Sequence, residues 1–385
     1  MQLGSEILLA SNRLDGLRVG VLANPASIDA SFRHIVDRLA ASADLKLAAI
    51  FGPQHGFRSD LQDNMIETPH GEDPKRGVPI FSLYSETREP TQEILGLIDV
   101  LVIDIQDVGA RIYTFIYTMA NCMRACARAG VPVIVCDRPN PIGGIAVEGP
   151  MLEPGYESFV GQYPIPMRHG MTTAELARYF NAEFGLGAEL EIVPMEGWSR
   201  RMYFDETGVP WVMPSPNMPT LDTAFVYPGT VLFEGTQLSE GRGTTRPFEL
   251  IGAPWLDGEA LAARMNDVGL AGVYFRPAIF QPTFQKHARA TCGGCQMHVL
   301  RRDDFAPVIA GAALLRECYA LAPDRFKWRD PPYEYEHDKM PIDILAGSSD
   351  LREHIEQQVP LPEVAEIWRA GEAAFMERRK PYLLY

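Results

Sequence analysis

The chain reads as an α/β protein, a Rossmann-like, doubly wound and mostly parallel sheet followed by a smaller C-terminal α+β domain. Three observations predict this. Short apolar or β-branched runs alternate with segments of helical spacing through the first half of the chain. One of those runs, Val100 to Ile105, is almost continuously apolar, as a strand buried on both faces must be. From Gly258 the pattern changes to a different mixture of helices and strands. The 385 residues suffice for two domains, and a hydrophobic content of 46% supports a real core.

The elements follow in order. Leu17 to Leu22 reads as the first strand and the stretch around His34 to Ala41 as a helix. Leu45 to Phe51 is a second, buried strand. Pro79 to Leu83 is a short strand and Thr91 to Ile98 a helix. After the Val100 strand, Ile112 to Ala129 carries Ile112, Phe115, Ile116, Met119 and Met123 at helical spacing, with Gly130 as its cap. Val131 to Cys136 is the next strand. Thr172 and Glu175 form a capping box for a helix reaching Phe184, and Glu189 to Val193 is another strand. Residues 195–257 are rich in Gly, Pro, Ser and Thr, with little periodicity; such a segment is usually functional and is assigned to the first domain, 1–257. The second domain, 258–385, holds a helix at Ala260 to Asn266, strands around Val273 and Met297, and helices at Phe305 to Tyr319 and Leu361 to Arg379.

Composition excludes some classes. A net charge of −15 argues against a nucleic-acid partner, which needs Lys and Arg gathered on one face. No apolar run approaches the ~20 residues of a membrane helix. Met1 to Arg13 lacks the basic and apolar regions of a signal peptide. The six cysteines are scattered, and Cys292-Gly-Gly-Cys295 has no second pair to complete a structural zinc site. They read as reduced thiols, and the expected compartment is the cytoplasm.

Ligands in open α/β sheets gather at the carboxyl ends of the strands. The second strand runs into Phe51-Gly-Pro-Gln-His-Gly-Phe-Arg-Ser-Asp60, which offers Gln54, His55 and Arg58. The Val100 strand ends in Asp104, Asp107, Arg111 and Tyr113; the Val131 strand ends in Asp137, Arg138 and Asn140. Each has a plainer reading. Asp104 can be a satisfied structural carboxylate, Asp107 a helix cap, Arg111 a surface ion pair, and Asp137 to Pro141 simple turn chemistry. His169 either faces the site or leads into the Thr172 helix. The irregular segment adds Asn217, between Pro216 and Met218, and Glu234 and Arg242 in a Gly- and Thr-rich stretch. That stretch lacks a P-loop ending, no Gly-x-Gly-x-x-Gly follows the first strand, and no Gly-x-Ser-x-Gly elbow occurs. Carboxylates beside arginines fit acid–base hydrolysis of a small anionic molecule.

Six stretches carry a resemblance: Phe-Gly-Pro-Gln-His-Gly-Phe-Arg (51–58), Asp-Ile-Gln-Asp-Val-Gly-Ala-Arg-Ile-Tyr-Thr (104–114), Asp-Arg-Pro-Asn-Pro-Ile-Gly-Gly (137–144), Arg-His-Gly-Met-Thr (168–172), Pro-Ser-Pro-Asn-Met-Pro-Thr (214–220), and Leu-Phe-Glu-Gly-Thr (232–236) with Gly-Arg-Gly-Thr (241–244). In order and over nearly the whole chain, they resemble the bacterial exo-β-N-acetylmuramidases, long catalogued as a domain of unknown function. The resemblance implies release of N-acetylmuramic acid from the non-reducing end of peptidoglycan fragments, with no metal or cofactor. The partner it implies is a saccharide with a carboxylate, which Arg111, Arg138 or Arg242 can grip by a forked ion pair.

One residue departs from the family pattern. The usual loop reads Pro-Glu-His-Gly, and its glutamate is the leading candidate for acid–base work; here the residue is Gln54. An amide exchanges no proton in the useful range. The acting carboxylates are therefore expected to be Asp104 and Glu234, with Asp107 as a further candidate and Asp60 and Asp63 just downstream of the loop. Gln54, His55, Arg58, Arg111, Tyr113, Asp137, Arg138, Asn140, His169, Asn217 and Arg242 are the expected substrate contacts. Two alternatives remain open at this point: a catalytically silent muropeptide- or sugar-binding protein, or a hydrolase or transferase acting on another anionic small molecule.

Overall fold

The structure is a computed structural model and describes residues 1–62 and 65–385. Its strands are β1 (Arg18–Ala23), β2 (Lys46–Gly52), β3 (Gly71–Asp73), β4 (Val78–Ser82), β5 (Val100–Asp104), β6 (Val133–Cys136), β7 (Glu148–Met151), β8 (Pro166–Arg168), β9 (Leu190–Val193), β10 (Leu250–Ala253), β11 (Val273–Phe280) and β12 (Cys292–Val299). The helices are α1 (Gly4–Leu9), α2 (Ile35–Ala41), α3 (Gln92–Leu95), α4 (Phe115–Ala129), α5 (Thr173–Glu183), α6 (Leu221–Thr230), α7 (Gly258–Asp267), α8 (Pro307–Leu321), α9 (Pro341–Ala346), α10 (Asp350–Glu356) and α11 (Leu361–Arg379).

The central sheet has seven strands in the order β3-β4-β2-β1-β5-β6-β9. All neighbours run parallel except β3, which joins β4 antiparallel. Successive side chains of β5 point to opposite faces, and both faces are covered. Leu101 and Ile103 pack with Ile116 and Met119 of α4. Val100 and Val102 pack instead with Leu8 of α1 and Val36 and Leu39 of α2. This two-sided burial is the doubly wound arrangement that the apolar run at 100–105 predicts.

The second sheet is antiparallel, in the order β10-β12-β11. Its strand β10 comes from upstream of residue 258, so segment 195–257 supplies a strand to this second sheet. That segment is more regular than expected. It contains α6, buried throughout from Thr223 to Thr230, with Pro228 inside the helix. The proline and the lack of a polar face hide its period. Gly229 of α6 lies against Gly311 of α8 so closely that a methyl group on either would collide with the other backbone. Helix α4 starts at Phe115 rather than Ile112, because residues 112–114 form a turn that leads into the site. Cys292 and Cys295 lie buried within β12.

Candidate active site

The carboxyl end of β2 delivers the 53–60 loop to the wall of a narrow cavity that opens to solvent. His55 and Gly56 take left-handed backbone conformations, φ 71° and 80°, and turn the chain sharply there. Gln54 is buried and its Oε1 accepts a 2.8 Å hydrogen bond from the Thr114 hydroxyl. His55 Nδ1 meets the Leu61 carbonyl at 2.8 Å. Asn217 Nδ2 donates to the Gln62 carbonyl at 2.8 Å, which joins the 214–220 loop to this one. Tyr113 also lines the cavity, in T-shaped contact with Tyr227.

Two buried carboxylates share the cavity, Glu234 and Glu334. Glu234 sits on the short 3-10 turn that follows α6. Its Oε2 accepts from the Tyr333 hydroxyl at 2.7 Å, and its Oε1 lies 2.7 Å from Arg242 Nη1. Arg242 continues to Glu240 at 3.1 Å, and Glu240 to Lys286 at 2.8 Å. Lys286 also donates to the carbonyls of Phe233 and Leu238. The result is a buried chain of alternating charges in which each ion has an opposite neighbour, the arrangement that makes buried charge tolerable. Burial raises the cost of charging Glu240, yet Lys286 and Arg242 pull its carboxyl down to about 2.

Glu334 has different surroundings. It is 3% exposed, and burial pushes its carboxyl up to about 7. The charge of Glu234 pushes the same way, against hydrogen bonds from the Tyr84 hydroxyl and the Gln54 amide. The Tyr84 bond is 3.0 Å long. A buried carboxyl whose proton affinity is raised into the neutral range is the usual candidate for a general acid. Sequence reasoning missed Glu334. Its segment, Pro331-Pro-Tyr-Glu-Tyr-Glu-His337, is too short and too proline-bounded to read as an element of the sheet, and it follows no sheet strand. The signal that marks it is an aromatic–carboxylate alternation between prolines and a histidine.

The other expected site residues are distributed differently. Asp104 is fully buried and forms a two-pronged ion pair with Arg138, at 2.5 and 3.0 Å. Arg138 spends a further N–H on the Ile28 carbonyl. Neither residue lines the cavity, so the expected pairing of Asp104 with Glu234 does not form there. Arg111 is also fully buried. Its guanidinium donates to the carbonyls of Pro150, Ile165, Leu345 and Ala346, and thereby staples the β7–β8 region to α9 rather than facing a ligand. Asp137 accepts from the Arg138 and Ala174 amides and the Thr172 and Tyr385 hydroxyls, tying β6 to α5 and the C-terminus. Burial still pushes its carboxyl up to about 7.

Asn140 bridges the Met171 carbonyl and the Ile142 amide. Asp107 accepts from the Gly109 amide at 2.7 Å and lies 3.6 Å from His169 Nε2, so it shapes a turn behind the cavity instead of capping α4. Arg58 and Asp60 are exposed, and Asp63 lies outside the described residues. Of the expected set, Gln54, His55, Tyr113, Asn217, Glu234 and Arg242 come together around one cavity.

An α/β sheet that presents two differently held carboxylates in one pocket has the arrangement that carboxylate acid–base enzymes use. The comparisons with known proteins specify it. The family model described as exo-beta-N-acetylmuramidase NamZ, N-terminal, matches residues 19–222, and its C-terminal counterpart matches 225–385. The chain is 46% identical over 387 residues to the peptidoglycan beta-N-acetylmuramidase NamZ of Bacillus subtilis, covering 100% of this chain and 91% of that protein. Crystal structures of two DUF1343 family proteins from Bacteroides fragilis share the fold. One has a TM-score of 0.90 at 36% identity, the other 0.74 at 28%; each comparison covers 100% of this chain and 98% of the other. The chain belongs to the exo-β-N-acetylmuramidase family.

Proposed function

We propose that this protein is a glycoside hydrolase that removes N-acetylmuramic acid from the non-reducing end of peptidoglycan fragments. The observation that carries this reading is the pair Glu234 and Glu334 in a single cavity, in a chain of this family. Glu334, held protonated near neutral pH by burial, gives its proton to the glycosidic oxygen as the C–O bond breaks. Glu234, fixed by Arg242 and Tyr333, faces the positive charge that develops at the anomeric carbon. Water supplies the hydroxyl that ends on that carbon. Gln54 acts as a positioning residue that holds Glu334 from one side while Thr114 holds Gln54 from the other. Arg242 is the only one of the three expected arginines in the cavity lining, and recognition of the lactyl carboxylate falls to it. The free, buried cysteines support a reducing compartment, and we place the reaction in the cytoplasm, on imported fragments.

The test is incubation with the disaccharide of N-acetylmuramic acid linked β-1,4 to N-acetylglucosamine. Free N-acetylmuramic acid should appear, and Glu334→Gln and Glu234→Gln should each lower kcat/KM by about 100-fold or more. Gln54 in place of the family's glutamate favours a second reading, a sugar-binding protein without turnover. Tight binding of the disaccharide with no release of either sugar would establish that reading instead.

A further inference from the structure

Tyr333 and Glu334 are not only on the wall of the inner cavity. They also border a second hollow, of about 360 Å³ and open to solvent, whose lining includes Met65, Arg329, Tyr335 and His337. We infer that this outer hollow is the binding site of the leaving-group sugar, an N-acetylated hexosamine, with the scissile bond lying over Glu334. The inference rests on the hydrolase reading above and adds a place for the other half of the substrate.

The geometry of proton donation sets the argument. A general acid must lie within hydrogen-bond reach of the oxygen it protonates, and that oxygen joins the two sugars. The acid therefore stands where two sugar sites meet. Glu334 is buried at the boundary between two hollows. Glu234 lines the inner one and does not line the outer one. The carboxylate that faces the anomeric carbon belongs with the released sugar, so the inner cavity takes N-acetylmuramic acid and the outer hollow takes what leaves. The inner cavity is backed by the buried rings of Tyr227 and Phe248, which stop the chain of sugars at one unit on that side.

The outer hollow has the surface such a sugar needs. Tyr335 is 49% exposed, an unusual state for an aromatic ring so close to a buried acid. It is propped rather than loose. The Arg88 guanidinium stacks 4.6 Å from its ring centroid, and Tyr84 meets it in a T-shaped contact at 6.3 Å. Tyr84 is also the residue that holds the Glu334 carboxyl, so the exposed ring and the acid belong to one packed unit. A pyranose presents an apolar C–H face, and a rigid exposed aromatic is a low-entropy surface for it. Arg329 forms no ion pair among the described residues, and its guanidinium rests 5.4 Å from the Tyr333 ring centroid, where it can donate to hydroxyl or acetamido oxygens.

The experiment is direct binding of free N-acetylglucosamine to the full chain by saturation-transfer NMR and calorimetry, with and without saturating N-acetylmuramic acid. Neither measurement needs turnover, so a failure of the hydrolase reading leaves this result interpretable. The expected result is that N-acetylglucosamine binds wild type in the presence of N-acetylmuramic acid, and that Tyr335→Ala weakens it about tenfold while Tyr335→Phe retains it. Displacement of one sugar by the other would place both in one cavity and overturn the proposal. Absence of N-acetylglucosamine binding to wild type, or equal binding to Tyr335→Ala, would also overturn it. The competition arm uses wild type alone, so a misfolded variant does not remove the test.

Discussion

The Gln54 amide is hydrogen-bonded to the Glu334 carboxyl. The loop residue that cannot exchange a proton thus touches a residue that can, and the two come from opposite ends of the chain. Glu334 and Tyr335 also take left-handed backbone conformations, φ 44° and 70°, which non-glycine residues adopt at a cost. The surrounding contacts of Tyr84, Gln54 and Arg88 hold them there. A carboxyl with its proton affinity raised therefore stands in this cavity although residue 54 of the loop is an amide.

Glu334→Gln tests that donor twice. A group that donates a proton is active below its pKa, so wild-type kcat/KM should fall as pH rises through about 7, and the variant should lose most activity at every pH. Stability moves the same way. Glu334 is raised in the folded state above its ordinary 4.5, so its stabilising contribution is full below about 4.5 and is lost as pH rises to about 7. Glutamine has no such dependence. The variant should gain on wild type between those pH values, by at most on the order of 3 kcal/mol. Urea unfolding at pH 5 and pH 8 reads the difference, and a constant gap would contradict the assignment.

Gln54→Glu puts a second carboxyl against Glu334. Two carboxyls in contact titrate as a pair, and ionising one makes the other harder to ionise. The alkaline limb of the kcat/KM profile should move up by about one pH unit or more. An unmoved limb would mean that Glu334 is not the group the profile reports.

Asp104→Asn should act on stability, not chemistry. It leaves Arg138 buried with its charge unbalanced, which costs about 3–5 kcal/mol. Turnover per folded molecule, measured well below the melting temperature, should stay within about twofold of wild type. A large loss of kcat with unchanged melting would return Asp104 to the list of acting carboxylates.

Arg242→Met removes the cation between Glu234 and Glu240. Two buried carboxylates then share Lys286 alone, at a cost of about 3–5 kcal/mol. The same change removes the group assigned to the lactyl carboxylate. Affinity for N-acetylmuramic acid should drop more than affinity for N-acetylglucosamine, as titration of both sugars against the folded variant will show.

The sequence by itself determined the sheet and one wall of the site. Strand and helix periods are local, so the apolar run at Val100 to Ile105 and the capping box at Thr172 were legible without any tertiary contact. The 53–60 loop was legible too, because a polar turn after a buried strand has little else to do. What lies in a cavity was not legible. Asp104, Arg138 and Arg111 have the composition of a site, but burial forced each to find its partner within the fold, and those partners come from other segments. Helix α6 was hidden because a helix buried on every side has no amphipathic period. Glu334 was hidden for a related reason. Its segment is too short to read as an element, and its surroundings depend on packing against Tyr84 and Gln54 far away in the chain. Only the tertiary structure could decide which carboxyl loses its water, and loss of water is what keeps a proton on Glu334 near neutral pH.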